Sequence, residues 1–523
     1  MTRIKNLIRK PAAGIAAATL ILLTLAASAP AEGQARPQKG LTLRQCVETA
    51  LRENLDLAIE RLAPEIDALS LKAIRENFLP TFQLTYSKRD IKQPGTWGVE
   101  GDIYHSKADD LSFNLTQNFS WGTSVGLTVD NAMIDTTKAF TTINPSYSNT
   151  MQLSLTQPLL RGFGLKAANN QAIKAARNIQ IADETLRQRA HQTVYEVESA
   201  YWSLVSAREN LKVQESSLTA SRELLARMRT GVRIGSESGV EVLSAETEVA
   251  RYEDVVLSAR RAVQAREDQL KKLLNLPAGG EEALIPLDPP AVEIRNVSVP
   301  EVLQTALANR PEIASIARQI ENSRSDVDYY RNQSLPRLDL NLSFWSPGVS
   351  GVKNIYQDGN PLTGIIIDKV VGGRGEALTD SLKLKYKNWS VYLTLEVPLG
   401  GLLSRANLAL ARAAEKQVDL QLQKQRQTIE FEVEDIVREL EAKARIIASS
   451  TRYRELAEKR VASETQRYQQ GLVGSEWLLN YRRELVDARR AEIQAIVDYR
   501  IALARLNLIR GTSPALGPAG NGN

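Results

Sequence analysis

Cysteine is almost missing from this chain, with Cys46 alone among 523 residues. The chain can form no internal disulfide and must be stable without one. Histidine is as scarce: His105 and His191 stand too far apart to suggest a metal site. With only four methionines, the chain also offers little to a dedicated heavy-metal path. There is no GxxxxGK[ST] phosphate loop, and scattered single residues make no Ser/His/Asp or Cys/His grouping. No catalytic site and no cofactor are expected.

An excess of charge is lacking too. Arg3, Lys5, Arg9 and Lys10 precede the apolar run Ile15 to Leu25, and Ala29-Pro30-Ala31 offers a small-x-small cleavage site, so residues 1–31 read as a secretory signal. The apolar run is shorter than the ~20 residues that a spanning helix needs. Taking those four cations from the 66 Lys and Arg leaves 62 against 61 Asp and Glu. A nearly neutral mature chain gives no electrostatic case for nucleic acid or for an acidic membrane surface.

What is present is a plan written twice. LTLRQCVETALRENLDLAIE leads into ENFLPTFQLTYS, and 256 positions later VSVPEVLQTALANRPEIASI leads into NQSLPRLDLNLSF. Ala50 and Leu51 match Ala306 and Leu307, and Leu79-Pro80 matches Leu335-Pro336. A duplicated unit of long helices and amphipathic strands restricts the fold severely. The first repeat, 32–280, is expected to hold helices over 42–78 and 166–274 with strands within 81–160. A Pro-rich linker, 281–296, follows. The second repeat, 297–511, is expected to hold helices over 300–334 and 402–509 with strands within 337–398, before a disordered polar tail, 512–523.

From Thr81 the period is two, with Phe82, Leu84 and Tyr86 on one face and Thr81, Gln83 and Thr85 on the other. Polar sequence from Lys88 to Asp110 reads as a loop. Residues 139–160 contain no Asp, Glu, Lys or Arg, yet Met151, Leu153 and Leu155 alternate with Gln152, Ser154 and Thr156. That is the pattern of a membrane barrel strand, apolar toward lipid and polar toward the lumen. Leu111, Phe113 and Leu115 repeat it, with Phe119 and Trp121 in the same register as interfacial aromatics. LSFNLTQNFSWG, 111–122, matches MQLSLTQPLLRG, 151–162, which implies two hairpins in the first half. The second half shows one, Leu338, Leu340, Leu342 and Phe344 going out and Val391, Leu393 and Leu395 returning to Pro398. Six strands per chain follow, or four if the extra hairpin stays outside. Single-chain barrels start at eight strands, so several chains must share one.

From Lys166 the helical period is sustained: Val197, Leu204, Leu211, Leu218 and Leu225 fall seven apart, a coiled-coil seam. The positions 236 later are Val433, Leu440, Ile447, Arg454 and Val461, with one charged interruption. A continuous helix from Lys166 to Arg233 reaches ~100 Å. Each long helix then reverses at a glycine-containing break, TGVRIGSESGVEVLSAE (230–246) and YQQGLVGSEWLLNY (468–481).

The paired LTL…ALREN and VSV…ALANR openings, the Leu-Pro strand entries, the exits TQPLLRGFG and EVPLGG, and the tips GSESGVEVL and GLVGSEWLL resemble the TolC-like family of outer-membrane efflux proteins over nearly the whole mature chain. The resemblance implies an α+β membrane protein and a homotrimer, whose strands close one β-barrel in outer-membrane lipid and whose helices continue as an α-helical coiled-coil barrel across the periplasm. Six strands per chain would then give eighteen, and four would give twelve. It implies the outer-membrane channel of a tripartite efflux or type I secretion system, joined by a periplasmic membrane-fusion adaptor to an energised inner-membrane transporter. The helix tips are implied to dock the adaptor and to close the tube. There Gly235 and Gly471 match the tip glycines, Glu241 the acidic position before Val-Leu, and Tyr468 the aromatic before the second glycine. Trp477 stands where the second tip usually has its acidic residue, and Val473 where some members have arginine, so a charge-paired gate is in question.

Plainer readings stand beside these. Any helical hairpin favours glycine at its turn, a carboxylate such as Glu241 suits a helix start, and Tyr468 falls on the seam register of Val461. Two other classes fit an exported helical protein: a periplasmic adaptor, which would have one hairpin flanked by compact β-domains, and a nonconducting coiled-coil scaffold of the envelope. The charge-free amphipathic strands count against both.

Overall fold

A computed structural model describes residues 38–95, 103–138, 141–234, 238–278, 282–290, 293–470 and 472–514. The signal at 1–31 lies outside the described residues. The first repeat runs through β1 (Gln38–Leu41), α1 (Leu43–Glu53), α2 (Leu55–Glu76), β2 (Thr81–Pro94), β3 (Ile103–Asn118), β4 (Ser124–Thr136), β5 (Ile143–Pro158), α3 (Leu165–Ala168), α4 (Asn170–Arg233) and α5 (Gly239–Leu273). After β6 (Ala283–Pro286), the second runs through α6 (Val299–Asn309), α7 (Pro311–Gln333), β7 (Arg337–Tyr356), β8 (Ile366–Val371), α8 (Arg374–Leu382), β9 (Asn388–Glu396), α9 (Leu402–Gln469) and α10 (Ser475–Arg510).

One antiparallel sheet gathers strands of both repeats in the order β2-β3-β4-β5-β7, where β9 pairs with the first half of β7 and β8 with its far end. The sheet is therefore six strands wide. Directly opposed residues share a face, so the registers build two continuous surfaces. Phe82, Leu115, Leu127, Leu153, Phe344 and Trp389 form one apolar row, and Leu84, Phe113, Val129 and Met151 form the next. The opposite face is polar: Gln83, Asn114, Thr128 and Gln152 lie in one row, and the Thr128 hydroxyl donates to Asn114 Oδ1 at 3.3 Å. The apolar rows form a belt for lipid and the polar rows a lumen wall.

Several expected boundaries change. The loop expected over 88–110 is largely strand, because cross-strand pairs hold its charges: Lys88 with Asp109 (3.9 Å), Arg89 with Asp110, and His105 with Asp90. Phe119 and Trp121 are not in the strand register; they follow β3 in its turn and stack on each other at 4.7 Å. The helix expected over 42–78 breaks at Asn54, whose extended backbone ends α1 while its side chain accepts the Leu57 N–H at 3.1 Å to cap α2. The helix expected over 300–334 breaks at Arg310, which Pro311 holds extended. The linker is not all irregular, since β6 pairs in parallel with β1. In the tail, Ser513 is buried and its hydroxyl meets His191 Nδ1 at 2.9 Å; 515–523 lie outside the described residues.

The long helices α4 and α9 hold 64 and 68 residues, which at 1.5 Å per residue is about 100 Å each. They turn back as α5 and α10, and two repeat-equivalent cores bind the pairs. Cys46, Val47 and Ala50 of α1 pack on Val197, Tyr201 and Leu204 of α4. Val302 and Ala306 of α6 pack on Val433, Ile436 and Leu440 of α9. The charged interruption of the second seam is compensated, for Arg454 reaches Glu492 of α10 at 2.6 Å and Glu458 at 2.9 Å. Among the described residues no helix is long and apolar enough to cross a membrane.

Two groups on α4 titrate in opposite senses. Burial pushes the Glu198 carboxyl from 4.5 up to about 7, and burial first, then Arg187, pushes His191 from 6.5 down to about 4. Between pH 4.5 and 6.5 the folded state holds the Glu198 proton that the unfolded state has lost, so stability falls as pH rises. His191 does the reverse, its contribution being lost as pH falls from 6.5 toward 4. The contributions of these two groups therefore oppose each other across that range. Glu198→Gln should uncover a rise of roughly 2–3 kcal/mol from pH 4 to 6.5, read by thermal unfolding in detergent across that range; a slope unchanged by the substitution refutes the assignment.

Candidate functional site

The sheet's polar face and the far ends of the helical hairpins are the two places where a solute path would be shaped. At the first tip, Ser238 opens α5 with a capping box: its hydroxyl accepts the Glu241 N–H at 3.3 Å, and Glu241 Oε2 accepts the Ser238 N–H at 3.1 Å. Glu241 thus helps to build the tip itself. At the second tip, Ser475 at the start of α10 is buried. Gly235 and Gly471 lie outside the described residues.

Tyr468 reaches the first hairpin. It packs with Leu224, Met228 and Ala245 of that hairpin and Leu479 of its own, beside Val242, the neighbour of Glu241. Val473 is half-buried in the turn. Trp477 points outward, 58% exposed, and stacks on Tyr481 at 6.2 Å, whose ring the Arg460 guanidinium covers at 4.1 Å. Val232, Ile234, Val240, Leu243 and Leu472 are also exposed, so both tips present apolar side chains to solvent.

The hairpins are linked by charges that periodicity did not single out. Glu248 of α5 is buried; Arg251 grips its carboxylate at 2.6 and 3.1 Å, and Arg483 of α10 approaches it at 3.6 Å. Arg482 donates to the Ala220 carbonyl of α4 at 3.4 Å, and burial first, then Arg227, holds its guanidinium below the ordinary value. In sequence, AETEVARYE and NYRREL look like solvated helix faces, and only the crossing of α10 over the first hairpin reveals their role. The clearest available signal was the adjacent pair Arg482-Arg483 just after a tip.

Helices too long for a compact domain, joined to a sheet that is apolar on one face and open at both edges, define a subunit of an outer-membrane channel with a periplasmic helical extension. The comparisons agree. The chain belongs to the outer membrane efflux protein family, whose profile matches residues 47–276 and 302–512. It is 24% identical over 372 residues to the alkaline protease secretion protein AprF of Pseudomonas aeruginosa, covering 70% of each chain. Among solved structures it resembles the outer-membrane channel CmeC of Campylobacter jejuni (15% identity, TM-score 0.64, 90% of this chain and 85% of that one). It likewise resembles the open state of the MtrE channel of Neisseria gonorrhoeae (18% identity, TM-score 0.59, 90% and 89%). The protein is an outer-membrane channel of the tripartite efflux and secretion class.

Proposed function

We propose that three copies of the chain close one eighteen-stranded barrel, six strands from each, and that solutes pass through it chemically unchanged. The observation that carries this reading is the six-wide sheet with a continuous apolar face and two unpaired edges, which cannot sit in lipid unless another copy satisfies its backbone. The long helices then form the periplasmic tube. Its tips dock an adaptor linked to an inner-membrane transporter, the adaptor covering the exposed apolar residues of both hairpins, Val240 and Leu243 on one and Leu472 and Trp477 on the other. Tyr468 and Glu241 position those tips, and Val473 with Trp477 makes the second tip apolar where charge is usual.

A photoreactive side chain placed at Val240 or Trp477 in cells should capture a periplasmic adaptor, while one at exposed Leu257, farther along α5, should not. Loss of capture with Trp477→Asp supports docking at this tip. Capture equally strong from Leu257, or none from either tip, refutes it.

A further inference from the structure

Among the described residues the first repeat has no helix between its strands β2 and β5, whereas the β7–β9 connection of the second makes a long excursion through β8 and α8. Helix α8 lies on the sheet, and its contacts identify the face. A Cβ on Gly348 would strike the Ala377 carbonyl and come within 3.0 Å of Ser381 N. The Ser350 hydroxyl donates to Glu376 Oε2 at 2.8 Å, Ser381 donates to Asn149 Oδ1, and Arg374 stands over the Tyr147 ring at 5.8 Å. Tyr147, Asn149, Gly348 and Ser350 all continue the face that bears Met151, Leu153, Leu342 and Phe344. α8 therefore covers the lipid-facing side of the sheet, immediately beyond the apolar belt and at the end away from the periplasmic helices. It also shields polar Asn149 and Ser346, both buried, from acyl chains.

What α8 presents outward is amphipathic. Ala377 and Ser381 are fully buried against the sheet, while Leu378 and Leu382 beside them are exposed, and Tyr386 and Trp389 continue the apolar edge, Trp389 at 74% exposure. Lys383, Lys385 and Lys387 alternate with Leu384 and Tyr386. Lys385 pairs with Asp380 at 2.7 Å, but Arg374, Lys383 and Lys387 have no carboxylate partner among the described residues. Cations standing above apolar and aromatic side chains at the edge of a lipid belt suit the headgroup boundary, where basic stems reach phosphates and rings lie at the interface. The β2 edge of a neighbouring copy fits these cations less well, because its nearby carboxylates are already taken, Asp90 by His105, Asp109 by Lys88 and Asp110 by Arg89.

We propose that α8 and the Lys383–Lys387 ribbon form a lateral anchor that binds phosphate-bearing headgroups of the external leaflet. Leu378, Leu382, Tyr386 and Trp389 enter the acyl boundary, and Arg374, Lys383 and Lys387 hold the phosphates. This rests on the outer-membrane position of the sheet and not on the adaptor or the gate.

The test uses the full chain with a nitroxide at Leu382→Cys, reconstituted in vesicles of an uncharged, phosphate-free galactolipid containing either phosphorylated or dephosphorylated lipid A. With phosphorylated lipid A, the label should lose collisions with an aqueous nickel chelate and gain them with oxygen. Lys383→Gln and Lys387→Gln should each raise the lipid A fraction needed for that change roughly fivefold. Gly348→Val, which displaces α8, should abolish it. Equal burial with dephosphorylated lipid A overturns the proposal, as does a label already shielded from the nickel chelate in the galactolipid vesicles without lipid A. Conductance of the same vesicles reports separately on the channel, so its failure is distinguishable from failure of the anchor.

Discussion

Oxidation of a chain carrying Tyr86→Cys and Leu395→Cys is expected to yield a covalent trimer that survives boiling in detergent. The register comes from the internal repeat. Inside the chain, the repeats meet where β5 pairs with β7, with Leu155 opposite Leu342 and the Leu159 N–H donating to the Leu338 carbonyl at 2.7 Å. β9 repeats β5, with Pro398 in the place of Pro158, and β2 repeats β7, with Leu79-Pro80 in the place of Leu335-Pro336. Carrying the junction from within the chain to between chains puts Leu395 opposite the partner's Tyr86. Both side chains lie on the apolar face, so the belt continues unbroken. Opposed Cα atoms in an antiparallel pair lie about 4.5–5.5 Å apart, inside the range a disulfide spans. Cys46 does not compete, being buried with its thiol pushed up to about 12 by that burial. Either substitution alone should leave monomers after boiling, and Tyr86→Cys with Leu393→Cys, two residues out of register, should link far less. A folded outer-membrane protein that forms no covalent trimer would sink both the register and the closed ring.

That register could be inferred because the strand pattern was legible. Alternation at Met151, Leu153 and Leu155 against Gln152, Ser154 and Thr156 states which face meets lipid, and the pairing with Val129 and Ser346 only extends it. Helix breaks were less legible. The periodicity of apolar residues runs on through Asn54 in the sequence, but its single extended residue resets the face, so that Leu51 packs on the core while Leu55 is exposed and Leu57 is buried instead. The charged strands from Lys88 to Asp110 were hidden for a different reason: beyond the lipid belt no face must be apolar, so period two fades while cross-strand ion pairs keep the ladder. α8 was hidden because its contact surface, Ala377 and Ser381 on Gly348, is made of small residues that carry no hydropathy signal. At the tips, sequence located the turns but could not show which charges of α10 meet the first hairpin.

Those charges set the other large effect: Glu248→Ala should open the periplasmic end of the tube. Glu248 sits buried between two arginines from different hairpins, Arg251 on its own helix and Arg483 on α10. Removing its carboxylate leaves Arg251 over the buried ring of Tyr252 and takes away the charge that draws Arg483 of α10 toward α5, so that only the apolar contact of Leu479 with Ala245 still joins the two there. Both arginines are more than a third exposed, so solvent screens them and the loss is closer to roughly 1–2 kcal/mol per chain than to the larger cost of a fully buried pair. In a ring of three that opens together the losses add, and about 3–6 kcal/mol shifts the closed-to-open ratio on the order of a hundredfold or more. Single-channel recordings in planar bilayers should therefore show a resting conductance near that of an open pore. Glu248→Gln keeps the shape and one acceptor, so it should open the tube less often. Tyr468→Phe separates packing from polarity: the ring still fills the cluster with Leu224, Met228 and Leu479, so a large increase in conductance there would move the gate from Glu248 to the tyrosine hydroxyl. Unchanged conductance with Glu248→Ala, in a protein that still assembles, would show that the buried carboxylate stabilises the hairpins without closing them.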